Sequence, residues 1–375
     1  MKKISKYGLS ALCGSLAAVS AAHAGSMSVT GNAHLTWTEV GGKSGNNNSV
    51  TGQPLGMKTN LSFVGNGELD GGQTFSVTIA HTDKATWSSA NITLNTNSLG
   101  TWKLSSAEGG GGIGGYDDNM PRAVEEVWDA GVSTNVNLQK GVGSSTNLQW
   151  ESPRIGATTL RLAWAPENDG TQPTDKSVGG ITNADRERGL DALLRVNPSI
   201  GAFGADFFVG YSETSLGNDP GTDKAIESRD REGVAGLTLD LGPLSIGGQI
   251  SGEYMPTRST NTTEYYGNSS IGVAFNVNDD LSFSYAEMRS LKGNSKPTQG
   301  SNGRTKLAGG WGGPIDEDVS GMTLTPKTEM TGESWQIAYT VGGVALKYAN
   351  TEVTNPGYNK NTEADAQLFI MSMAF

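Results

Sequence analysis

Six carboxylates, Glu108, Asp117, Asp118, Glu125, Glu126 and Asp129, crowd into one irregular stretch, residues 105–134. Groups so dense can do acid–base chemistry, hold a hard cation, or charge a water-filled surface. Acid–base catalysis needs a nucleophile, a base and an orienter in contact. Past residue 24 the histidines are His34 and His81, and no G-x-S-x-G motif occurs, so catalysis is not expected. Calcium wants several oxygen ligands at set spacing. Neither Asp117-Asp118 nor Asp316-Glu317-Asp318 lies in such a motif, so no metal and no cofactor are expected. Charge facing water remains, and its counterparts are spread along the chain. Lys103 sits between Trp102 and Leu104, Arg161 between Leu160 and Leu162, and Arg195 between Leu194 and Val196. Asp191 and Lys347 are placed likewise, and Lys58 shares their parity.

That placement is the signature of strands, whose side chains alternate between two faces. From Met27 to Thr38 the odd positions read Met, Val, Gly, Ala, Leu, Trp and the even ones Ser, Thr, Asn, His, Thr, Thr, a pattern no helical period fits. The same alternation recurs at residues 61–63, 75–79, 92–94, 102–104, 148–150, 160–164, 190–196, 207–211, 235–239, 244–254, 271–277, 281–285, 335–339, 344–348 and 366–375. These predict sixteen strands. Short connections follow the even-numbered strands and long polar ones follow the odd-numbered strands. An even strand count with loop length sorted by parity is the rule of transmembrane barrels. Sixteen strands also enclose a space too wide for side chains to fill, so the lumen holds water. No outward position in these segments is charged, as a lipid-facing surface requires, because Arg or Lys at the midplane costs roughly 2–4 kcal/mol. Trp37, Trp102, Trp150, Trp164, Tyr211, Tyr254, Tyr285, Trp335, Tyr339 and Tyr348 gather toward strand ends on that face, where interfacial girdles belong.

Residues 1–24 read as a secretory leader: Lys2, Lys3 and Lys6, an apolar stretch, then Ala22-His23-Ala24. Leu12 is too large for a lipobox before Cys13, the single cysteine, so the exported chain would lack disulfides. Residues 25–375 then form one barrel domain. Without the three lysines the 27 basic residues fall to 24 against 38 acidic, a net charge of −14, which argues against nucleic acid as a partner.

Several strings resemble the general outer-membrane porin family of Gram-negative bacteria. These are TNLSFVGNGELDGGQTFSVTI at 59–79, the Asn97–Gly100 turn into GTWKLS, and WESPRIGATTLRLAWAP at 150–166. The terminal strand AQLFIMSMAF, ending on Phe375, resembles the family's signal for the barrel assembly machinery. The resemblance implies a 16-stranded antiparallel β-barrel with short periplasmic turns, long extracellular loops and a third loop folded inward. It implies a homotrimer among outer-membrane lipids that passes small hydrophilic solutes and ions by passive diffusion. In such a channel the six carboxylates would face a basic wall of Lys58, Lys103, Arg161 and Arg195, and charged side chains at a constriction set ion preference. The acidic balance favours cations weakly. The loop around Trp87 would latch a neighbouring subunit. The third loop departs from the family by lacking a Pro-Glu-Phe-Gly-Gly string. The alternative is a substrate-specific channel with a solute-binding track, but Tyr116 and Trp128 stand isolated there.

Overall fold

The computed structural model describes residues 24–43, 54–83, 88–106, 110–143, 145–168, 186–201, 203–216, 229–256, 263–297, 322–324 and 328–374. The leader through residue 23, Glu108, Trp87, Asp316 to Asp318 and Phe375 lie outside them.

Sixteen antiparallel strands close on themselves. They are β1 (Ala24–Lys43), β2 (Leu55–Glu68), β3 (Thr74–Thr82), β4 (Ser89–Asn95), β5 (Thr101–Ser106), β6 (Asn147–Glu151), β7 (Thr158–Ala165), β8 (Arg186–Val196), β9 (Phe203–Leu216), β10 (Arg229–Leu241), β11 (Leu244–Pro256), β12 (Thr263–Asn276), β13 (Leu281–Pro297), β14 (Thr328–Val341), β15 (Val344–Thr354) and β16 (Glu363–Ala374). Each pairs with its chain neighbours, and β1 pairs with β16 from Asn32↔Ala374 to Lys43↔Glu363, which leaves no free edge. Two short strands are appended: Ser199–Ile200 beside β9, and Met322–Leu324 beside the end of β13.

The two faces of each strand follow the expected parity. Leu190 and Leu194 are 54 % and 38 % exposed on the outside, while Leu193 between them is 1 % exposed. Phe207 and Phe208 divide the same way. Leu, Ile, Val and aromatic side chains thus cover the outside, the inverse of a water-soluble protein. Tyr285 and Trp335 stack there with ring centroids 4.3 Å apart, and Trp102 and Trp150 lie 6.2 Å apart.

Outward charges do occur, all at the loop-side ends of long strands. Arg229 pairs with Glu213 at 2.6 Å and Arg289 with Glu329 at 2.8 Å. The Tyr285 hydroxyl lies 2.7 Å from Glu287 and 2.8 Å from Glu333. Crossing a bilayer takes roughly 9–11 residues of tilted strand. β9 to β14 run 13 to 17 residues, so their outer ends rise past the apolar band into water. The wall is lowest at β4 to β7, where strands run only five to eight residues.

Candidate functional site

The connection from β5 to β6 supplies the only extended non-strand structure among the described residues, and it lies inside the barrel. It is longer than the expected 105–134. β5 continues through Ser106, and irregular backbone runs on to residue 146 because the glycine-rich exit, with Gly141 and Gly143 at positive φ, carries no strand pattern.

Its path can be followed strand by strand on inward-facing partners. The Ile113 N–H donates to Asp191 of β8 at 2.8 Å, and Val142 N–H donates to the same carboxylate at 3.1 Å. The amides of Lys140 and Gly141 donate to Glu232 of β10. Gln249 of β11 accepts from Asn119 N–H at 3.2 Å and donates to the Asp117 carbonyl at 2.9 Å. Asn268 of β12 donates to the Asn137 carbonyl. Ser284 of β13 accepts from Ala123 N–H at 2.8 Å. Gln336 of β14 accepts from the amides of Val124 and Glu125 at 2.9 and 3.2 Å. The loop therefore docks by having its backbone polar groups satisfied by the wall, which buried irregular chain requires.

Apolar side chains complete the contact. Ile113 and Tyr116 sit in a cluster with Leu193, Phe208 and Val234. Val127 and Val132 pack with Met288, Met330 and Val353. Val124 and Ala130 cover Ala349, Leu368 and Ile370. These inward apolar residues face loop, not lumen water, and a buried Leu or Ile contributes roughly 1.5–3 kcal/mol relative to exposure.

The acidic residues of the loop are only partly free. Arg122, which the sequence reading passed over, pairs with Asp118 at 3.1 Å and with Glu126. Glu125, Glu126 and Asp129 gather with carboxylate oxygens within 4.8 Å of one another. Burial, reinforced by Asp118, pushes Asp117 up to about 6. Burial first, then a hydrogen bond with Asp118, pushes Glu126 up to about 7. Glu125 is raised by burial and by Asp129, and pulled back by Lys347, Arg122 and Lys58.

Of the four basic wall residues, Arg161 and Arg195 are already paired. Arg161 binds Glu151, and its guanidinium lies 5.5 Å from the Tyr116 ring centroid. Arg195 makes two bonds to Asp206, at 2.7 and 2.6 Å. Lys58 faces the lumen on β2, in register with His34 of β1, and Lys103 sits on β5 opposite Gln149. The loop thus meets basic groups at two places along its path, Arg161 and Arg195 near Tyr116, and Lys58 and Lys347 near Glu125. Asp191, Glu232, Gln249 and Gln336, which hold the loop, were not singled out for that role. Their signal was the inward apolar residues beside the loop's path, which break the strand alternation.

A family model described as Gram-negative porin matches residues 8–313. No curated protein matches the chain in a sequence comparison. Among solved structures, the outer membrane channel DcaP of Acinetobacter baumannii is similar with a TM-score of 0.58 at 11% identity, covering 94% of this chain and 98% of that one. OprB of Pseudomonas putida gives 0.57 at 9% identity over 93% and 94%. A trimer form of OmpT, an outer membrane protein of Vibrio cholerae, gives 0.54 at 9% identity over 93% and 99%. At these identities the likeness is one of fold.

Proposed function

The chain belongs to the Gram-negative porin family and is an outer-membrane channel protein, and on that premise we propose that it is a general diffusion pore. In this reading residues 1–24 are removed on export, residues 25–375 form the barrel, and small hydrophilic solutes and ions cross passively without catalysis. The trimeric neighbour supports a homotrimer, set among outer-membrane lipids and inserted by the barrel assembly machinery through the strand ending in Phe375.

One observation carries the reading. The third loop leans on the inner wall from β8 round to β16, while the inner faces of β2 and β5 present Lys58 and Lys103. Water-filled space bounded by the carboxylates of Glu125, Glu126 and Asp129 on one side and cations on the other would carry a transverse field that orients dipolar solutes. The carboxylate cluster outnumbers its single guanidinium, Arg122, and this supports a weak preference for cations.

Purified protein in a planar bilayer should give ohmic current steps, arriving in threes, with a small reversal potential of cationic sign in a salt gradient. Folded, inserted protein that passes no current would overturn the proposal. Current blocked saturably by one solute class would move the assignment to a substrate-specific channel.

A further inference from the structure

One oxygen atom holds both ends of the third loop. Asp191 of β8 is 4 % exposed, and its Oδ2 accepts the N–H of Ile113 at 2.8 Å and that of Val142 at 3.1 Å. The segment between those residues carries Asp117 to Asp129, and Gly111 pairs with Gly143 just outside the two contacts. The residue before each donor is a glycine at positive φ, Gly112 at +58° and Gly141 at +56°. A Cβ there would stand 1.7 Å and 2.2 Å from the same oxygen. The site is therefore built twice over: at each end the backbone turns so that one amide points at the same anion, and no side chain can stand between. Its other oxygen is also shut off from solvent, with Ser212 of β9 directly across the ladder.

Neighbours reinforce the junction. Glu232 takes the amides of Lys140 and Gly141, and Asn168 bonds the Gly141 carbonyl at 3.0 Å and Thr214 at 2.7 Å. Ile113 leads directly to Tyr116, whose ring meets that of Phe208 at a 50° tilt, 4.9 Å between centroids, and lies under Arg161. Position therefore passes from Asp191 through Ile113 and Tyr116 to the edge of the open space.

We propose that Asp191 is the positioning residue of the constriction: by closing the loop at its base on one carboxylate, it fixes how far the acidic segment stands from the basic wall, and so sets the conductance. It does not touch the permeating solute. The proposal rests on the reading of the chain as an open channel, but its test has one arm that does not need current.

An isosteric Asp191→Asn can keep its carbonyl oxygen on both amides, but it removes the charge that strengthens the two bonds and puts an NH2 where the shut-off second oxygen stood. Charge-assisted bonds are roughly twice as strong as neutral ones. Hydrogen exchange on the folded native protein should show the Ile113 and Val142 amides protected, and in Asp191→Asn that protection should fall by about tenfold, as weakening two charge-assisted bonds to neutral ones implies. Single-channel records of the variant should lose their single level and spread over several. Gly141→Ala, which leaves the wall charge intact and pushes a methyl into the same oxygen, should reproduce both effects. Protection and a single conductance level unchanged in both variants would overturn the proposal. So would rapid exchange of both amides in the native protein, a readout that stands even if the variants do not assemble. Exchange as expected with no current in any form would instead sink the channel reading and leave the latch in place.

Discussion

The inner wall from β8 to β16 and the inner wall from β1 to β7 are made of the same alternating strands, yet they are chemically different surfaces. The first carries Leu193, Phe208, Val234, Met288, Met330, Val353, Leu368 and Ile370 inward, together with Asp191, Glu232, Gln249, Ser284 and Gln336 as partners for loop backbone. The second carries His34, Lys58, Lys103 and Arg161, with Asn32 bonded to Asn60 at 3.1 Å, and meets the loop at its margins, where Val142 covers Ala163 and Ala165 of β7 and Val40 of β1 packs on the cluster around Val127. One surface is an interior and the other a shore. The loop lies mainly where inward residues are apolar, and in the proposed pore ions travel along the polar side.

The comparison breaks most readily at Leu368. It is buried beneath Val124 and Ala130, so Leu368→Asp should weaken loop docking by on the order of 3 kcal/mol, from lost burial plus an unpaired carboxylate. Limited proteolysis should then cut the loop in otherwise folded barrels. Ser62→Asp, at an inward site of β2 in register with Thr30 and Ala80, should change stability by no more than about 0.5 kcal/mol. Equal sensitivity at the two sites would mean that the walls do not differ as described.

A smaller effect separates the charges. Arg161→Gln removes a cation from the bare side and leaves Glu151 without it. A unit charge about 8 Å from the ion path contributes about 0.5 kcal/mol in water, roughly a twofold change in permeability ratio, less in high salt. Reversal potentials should therefore shift toward cations. Glu126→Gln should shift them the other way and by less, since Glu126, raised to about 7, is only partly ionised near neutral pH. Shifts of the same sign would show that the two residues do not flank one path.

Much of this was legible in the sequence and the rest was hidden for a definite reason. Alternation placed all sixteen strands, because on a barrel every second residue faces lipid and the penalty for error is steep. Strand ends beyond the apolar band were less legible, since Glu213, Glu287 and Glu333 continue the outward parity into water where no such penalty applies. The acidic stretch was legible as chemistry and opaque as geometry. Irregular backbone has no period, so its exit through residues 135–146 went unread, as did its partners on distant strands. Asp191 and Gln336 look like ordinary lumen polar residues until the loop amides that use them are in place. Arg122 shows the limit of counting charges: its i−4 and i+4 neighbours, Asp118 and Glu126, turn two of the six carboxylates inward on a local ion pair.

The finest test of the two-walled pore is its pH dependence. Asp117 and Glu126 are raised to about 6 and about 7, in both cases mainly by burial in the docked loop. A raised carboxyl pKa means that charge is lost earlier as acid is added. Both groups are ionised at pH about 8. Glu126 loses its charge near pH 7 and Asp117 near pH 6, while ordinary carboxylates titrate near 4. Cation preference should therefore fall between pH about 8 and about 5. The docked loop also binds more protons in this window than an undocked one, so docking should strengthen as pH falls through it. Reversal potentials taken across that range, for the native chain and for Glu126→Gln, measure the first effect. The substitution should remove the part centred near pH 7 and leave the part near 6. A pH response identical in the two proteins would place the titrating charge elsewhere and detach the acidic side of the pore from Glu126.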